Sequence, residues 1–117
     1  MQNKIESYLS KGMERRFAEY YASGRKEIVN VQVGDDRKLI LTFNNGELRQ
    51  YDVMPFIQPG TVFSPLIDSG VFNRVYLDEQ HCVSWDIDPN IDSSIVWSNK
   101  IDLCPDTCYV DSKPIEP

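Results

Sequence analysis

The chain of 117 residues is long enough for one domain, whose core needs neither disulfide nor metal, since a chain of this size buries roughly two-thirds of its unfolded surface. No apolar run approaches the ~18 residues of a membrane span, the start MQNKIESYLSKG does not read as a signal peptide, and 18 acidic against 12 basic residues, net charge −6, argue against bulk nucleic-acid binding. Three cysteines, an odd number, cannot all pair within the chain, so reduced thiols in a cytoplasm are the expectation.

Residues 1–27 carry six basic against four acidic side chains, net +2, and the remainder carries six against 14, net −8. Residues 1–25 read as one amphipathic helix: Ile5, Leu9, Met13, Phe17 and Tyr21 recur every four residues, with Tyr8 and Tyr20 beside them. Asn3 and Glu6 have the spacing of a capping box, and Gly24 is placed for a left-handed C-terminal cap. The stripe either packs on its own domain or meets a second chain. A helix of about 20 residues is roughly 30 Å long, more than a small sheet needs as cover, so a homodimer through Ile5, Leu9, Met13, Phe17 and Tyr21 is expected.

Residues 26–117 read as a single α+β domain. Val29, Val31 and Val33 alternate with Asn30 and Gln32 up to a turn at Gly34-Asp35-Asp36, and Leu39, Leu41 and Phe43 continue a second strand. Asn45-Gly46 signals a hairpin, with positive φ at both residues of a type I′ turn, and residues 47–53 form the partner strand. Pro55, Pro59 and Gly60 end this three-strand meander. A short middle helix opens near Pro65 or Ser69 and places Leu66, Ile67, Val71 and Phe72 on the core. Residues 74–78, 82–85, 95–97 and 100–103 are candidates for further short strands around the polar loop DIDPNIDSS, and the tail SKPIEP is expected to fray. The expected fold class is therefore α+β with a mostly antiparallel sheet.

Asp86, Asp88, Asn90 and Asp92 have the spacing that opens a calcium loop, and they are the candidate metal ligands. Ile91 stands where such a loop needs glycine, and Trp97 where it needs a bidentate Glu, which favours a solvated acidic loop. His81, Cys82, Cys104 and Cys108 could supply four zinc ligands, but the spacing Cys104-Pro-Asp-Thr-Cys108 is not a CxxC knuckle. The single histidine leaves one histidine base, and no nucleophile elbow, HExxH pair, phosphate loop or dinucleotide fingerprint occurs. No catalytic or cofactor-binding residue is assigned, and no cofactor is expected.

The succession VQVGDDRKLILTFNNGELRQYDVMPF, GTVFSPLIDSGVFNRVYLDE and IVWSNKIDLCPDTCY, over about residues 28–111, resembles the bacterial domain-of-unknown-function family 2442. The carrying features are the hairpin at Phe43 and Asn45-Gly46-Glu47 with Tyr51-Asp52 after it, the Phe63, Leu66 and Phe72 segment, and the closing Trp97, Asp102, Pro105-Asp106 and Tyr109. The resemblance implies a small α+β fold with no established activity. Relatives include members of toxin–antitoxin-type gene pairs and proteins carrying a helix-turn-helix. This chain departs by having a single N-terminal helix and by inserting the loop DIDPNIDSS, so neither DNA binding nor a catalytic residue carries over. In structural terms Trp97 is expected in the core, and Asp102 and Asp106 in turns.

The leading expectation is a non-enzymatic protein-interaction domain, the antitoxin-like partner of another small protein. The acidic body would meet a basic partner by electrostatic complementarity. The alternatives are a metal- or small-molecule-binding enzyme using the 86–92 loop with His81, and a DNA-associated regulator using the Arg15-Arg16 and Arg25-Lys26 patches.

Overall fold

The computed structural model describes residues 2–115, without the side chains of residues 2–4, so the cap expected from Asn3 lies outside the described residues. The N-terminal stripe is two helices rather than one, α1 (Gln2–Ser10) and α2 (Arg15–Ser23). Between them lies a Schellman ending. The Met13 N–H donates to the Tyr8 carbonyl at 3.1 Å, the Gly12 N–H donates to Leu9 at 3.0 Å, and Gly12 takes φ +90°. The chain then turns α1 back against α2, with the Tyr8 and Tyr21 rings 6.0 Å apart. The expected 30 Å rod is thus a hairpin of two nine-residue helices. Gly24 closes α2 at φ +98°, as the sequence anticipates.

β1 (Ile28–Val33), β2 (Lys38–Phe43) and β3 (Leu48–Asp52) form the expected antiparallel meander. Leu39, Leu41 and Phe43 of β2 are buried in clean alternation. In β1 a bulge between Ile28 and Asn30 breaks the phase, which buries Ile28 and leaves Val29 exposed. The type I′ geometry expected at Asn45-Gly46 is found instead at the first turn. Positive φ at both central residues occurs at Asp36 (51°) and Arg37 (62°), in the turn closed by Lys38 N–H to Asp35 O. Arg37 is held in that costly conformation because its guanidinium donates to the carbonyls of Leu66 and Ile67. The β2–β3 connection is a three-residue loop over 44–46, in which only Gly46 takes positive φ (+89°) and its N–H donates to Phe43 O at 2.9 Å.

Two 3-10 turns, Met54–Phe56 and Ser64–Ile67, lead to the short helix α3 (Ser69–Phe72). Its cap is Asp68, whose carboxylate accepts the Gly70 N–H at 2.8 Å, and not Ser69. Leu66, Val71 and Phe72 are buried as expected, while Ile67 faces outward. β4 (Tyr76–Leu77), β5 (Val83–Asp86) and β6 (Lys100–Leu103) form a second antiparallel sheet in that order. Residues 95–97 are not a strand, and the chain there enters a 3-10 turn, Trp97–Asn99.

α4 (Pro105–Val110) follows β6. Asp106, expected in a turn, is instead buried in the first turn of α4. It accepts the hydroxyls of Tyr20 and Tyr21 (the latter at 3.1 Å) and Arg25 Nη2 at 2.7 Å, fastening α2 to the body. The tail is partly ordered: β7 (Lys113–Pro114) pairs antiparallel with β3, giving the first sheet the order β1-β2-β3-β7, whereas residues 116–117 lie outside the described residues. Both sheets contribute to one buried cluster, including Leu41, Phe43 and Tyr51 from the first, Val83, Trp85 and Ile101 from the second, and Phe72 from α3. Trp85 Nε1 donates to Phe72 O at 2.9 Å, satisfying the one polar atom of the largest buried side chain. The fold is α+β with antiparallel sheets, and no helix among the described residues is long and apolar enough to cross a membrane.

Candidate functional site

Strand period puts Val83, Trp85, Ile101 and Leu103 on the core face of the second sheet. Ser84, Asp86, Lys100 and Asp102 fall on the opposite face, with Tyr76 opposite Ser84. Tyr76, Asp86 and Lys100, together with the turn after β4 and residues 92–94 of the long loop, wall a cleft of about 550 Å³. Lys100 Nζ lies 2.8 Å from Asp78 Oδ2, and Asp78 Oδ1 accepts the N–H groups of Gln80 and Cys82 at 2.9 Å each. Burial alone would raise the Asp78 carboxyl, but Lys100 and those two N–H groups bring it below its ordinary value, and Asp78 in turn raises Lys100. Both are therefore charged and mutually neutralised at pH 7. Asp86 Oδ1 accepts Tyr76 OH at 2.9 Å and Ser93 Oγ at 2.6 Å. Burial, then Asp86, raises the Tyr76 hydroxyl, which stays protonated and acts as a donor, not a base.

The loop's other carboxylates turn inward to its own backbone. Asp88 Oδ1 accepts the Asn90 N–H, and Asp92 Oδ1 accepts both the N–H and the hydroxyl of Ser94. Of the expected ligands, Asp86, Asp88 and Asp92 therefore act as turn acceptors and loop braces, and Asn90 takes part through its backbone N–H. Among the described residues no group of three or more His, Cys, Asp or Glu is placed to hold a metal. His81 does not join the loop. Its Nδ1 is 3.0 Å from Ile28 O and its Nε2 is 3.7 Å from Glu27, tying the β4–β5 turn to the start of β1. Cys82 is half-buried, Cys104 exposed and Cys108 buried, all as free thiols.

Asn99 organises this loop. It is 5% exposed, its Nδ2 donates to Asp88 O, Ile91 O and Ser93 Oγ at 3.0–3.2 Å, and its Oδ1 accepts the Asp88 N–H at 2.9 Å. The apolar residues at positions 91 and 95–97, just before Asn99, are excluded from the core. Trp97 is 83% exposed, Ile95 78%, Val96 42% and Ile91 40%. The expectation of a core Trp97 is thus overturned: Trp85 is the tryptophan that fills the core. Five acidic residues occur between positions 75 and 99, flanked by Arg74, which donates to the Ile87 carbonyl at 3.0 Å, and by Lys100, which pairs with Asp78. The unbroken apolar run Ile95-Val96-Trp97 concealed the exposure, because such a run reads equally well as a short buried strand.

The helical hairpin holds the other expected interaction residues. Ile5, Leu9, Met13, Phe17 and Tyr21 are all half-buried. Tyr21 is engaged by Asp106, Phe17 lies under the Arg16 guanidinium at 4.9 Å, and Ile5 and Leu9 line a shallow groove with Glu6 and Arg15. The basic patches are paired with acids: Arg15 with Glu19, Arg16 with Glu14 and Asp111, and Arg25 with Asp106. No protein-family model, no curated protein and no solved structure matches the chain.

Proposed function

We propose that this chain is a non-enzymatic protein-interaction domain, the antitoxin-like partner of another small protein, which it engages through residues 91–97. The observation that carries this reading is the 83% exposure of Trp97, with Ile95 and Val96 beside it, on a loop braced by a buried asparagine. Large apolar side chains grouped at a surface mark contact sites, and tryptophan is the residue most enriched among those that dominate binding energy. A loop already fixed in shape loses little conformational entropy on docking. The surrounding Asp86, Asp88 and Asp92 select a partner whose apolar pocket is rimmed by Lys and Arg, which speeds encounter and sets orientation. The resemblance to family 2442 supports the antitoxin-like form, and the odd cysteine count supports a cytoplasmic setting.

Self-association through Ile5, Leu9, Met13, Phe17 and Tyr21 is a separate proposal. It rests on half-buried side chains of a helical hairpin, not on a free helix. The test of the main reading is quantitative co-purification, from cells that naturally make the protein, of the wild type, Trp97→Ala and Val62→Ala, the last removing an apolar side chain that is 74% exposed. A partner held by wild type and Val62→Ala and lost with Trp97→Ala supports the reading. Equal recovery with all three refutes it.

A further inference from the structure

Cys82 and Cys104 lie at the same end of the β5–β6 ladder, whose register runs Asp86↔Lys100, Trp85↔Ile101 and Val83↔Leu103. One further step places Cys82 opposite Cys104. Both residues continue the strand geometry: Cys104 is extended at φ −74° and ψ 150°, and the Asp78 N–H donates to the Cys82 carbonyl at 3.1 Å, extending the β4–β5 ladder through it.

That bond also fixes the type of pair. A residue of a central antiparallel strand directs its N–H and C=O to one neighbour. Cys82 directs its carbonyl to β4, whereas Ile87, of opposite parity, donates to Asn99 O at 2.8 Å on the β6 side. Cys82 and Cys104 are therefore a non-hydrogen-bonded cross-strand pair. Such pairs have Cα atoms ~4.5 Å apart and side chains on one face, within the Cα range of about 4.4–6.8 Å that a disulfide spans.

We propose that Cys82 and Cys104 form a reversible cross-strand disulfide in exchange with low-molecular-weight disulfides such as oxidised glutathione. The exposed Cys104 gives up its proton to solvent, and its thiolate attacks one sulfur of the small disulfide, expelling one thiolate. The Cys82 thiolate then attacks Cys104 Sγ in the mixed disulfide and expels the second. Two protein thiols are oxidised and one small disulfide is reduced to two thiols, the two expelled thiolates taking up, through water, the two protons that the protein thiols give up. Burial, then Asp78 and Asp102 nearby, raise the Cys82 thiol, which suits the slower, resolving role. Cys108 is fully buried and its thiol is raised further by that burial, so it stays out of the exchange. The bond would clamp the start of β5 to the segment leading into α4, the helix that carries Asp106 and anchors α2.

The test incubates the reduced full-length protein at low micromolar concentration in glutathione buffers from fully reduced to fully oxidised, then quenches, alkylates and maps peptides. The expected result is a Cys82–Cys104 link within one chain, Cys108 recovered alkylated, and full reversal by dithiothreitol. Cys82→Ser should trap Cys104 as a glutathione adduct, and Cys108→Ser should leave the link unchanged. A stable glutathione adduct on wild-type Cys104 with Cys82 alkylated overturns the proposal. So does a link through Cys108, a Cys104–Cys104 dimer, or no reaction at Cys104.

Discussion

Replacing Asp106 by alanine should release the helical hairpin while leaving the two-sheet core folded. Asp106 is 5% exposed and holds three residues of the N-terminal segment, Tyr20, Tyr21 and Arg25. The Tyr20 hydroxyl, in a residue 4% exposed, donates to Asp106 and accepts the Lys26 N–H at 2.9 Å, so the variant strands a buried donor. A hydrogen bond to a charged partner contributes about 1.5–3 kcal/mol, and the half-buried Tyr21 bond about 0.5–1.5 kcal/mol. Arg25 stands in solvent and receives no share. The expected loss is about 2–4 kcal/mol, and Tyr20→Phe should lose about 1–2 kcal/mol.

The loss should be local, because no residue of α1 or α2 belongs to the central buried cluster. Hydrogen exchange should show the α2 amides opening roughly 30- to 1,000-fold more often, at 1.4 kcal/mol per decade, with the amides of Leu41 and Trp85 unchanged. Opening of α2 that changes less than about threefold would refute the account, as would equal opening of α2 and the core. The pH dependence has a definite sign. Burial raises the Asp106 carboxyl, but Arg25, Tyr20 and Tyr21 bring it below the ordinary 3.8. A folded value below the unfolded one means that its contribution is complete above that ordinary value and is lost as pH falls through the lowered value. The α2 amides should therefore lose protection only in strong acid.

Gly46→Val should cost more than about 1 kcal/mol in urea titration, because a β-branched residue resists φ +89°, and unchanged stability would mean the turn rearranges freely. Trp85→Ala should cost about 3–5 kcal/mol, whereas Trp97→Ala should stay within about 0.5 kcal/mol, a contrast that thermal unfolding resolves. Asn99→Ala should cost about 1–3 kcal/mol by leaving buried groups of the loop unpaired, and the Asp88 amide, which loses its acceptor, should exchange faster.

The elements legible in sequence were those fixed by local pattern. Alternation in β2 buries Leu39, Leu41 and Phe43 as read, and Pro65 and Phe72 bracket the short middle segment. Misreadings arose where one residue resets a period. Gly12 reverses the helix without disturbing the four-residue spacing of the stripe, and the bulge at Val29 shifts β1 by one position. Both turns were read at the right sites, but the type I′ geometry assigned to Asn45-Gly46 occurs at Asp36-Arg37, where Arg37 reaches carbonyls some 30 residues away that no local pattern reveals. The candidate surface was least legible. An indole is apolar enough to be assigned to the core until Trp85 is seen to occupy it, and Asn99 and Asp106 act through partners distant in sequence.

The claim that residues 91–97 form the docking surface is tested most directly by contact from that position. A photo-activatable residue introduced at position 97, and in a second variant at position 62, would be irradiated in cells that naturally make the protein. The account predicts one discrete cross-link to a small basic protein from position 97 and none from position 62. Cross-links of equal yield from both positions, or none from position 97 while the protein is folded, would contradict it.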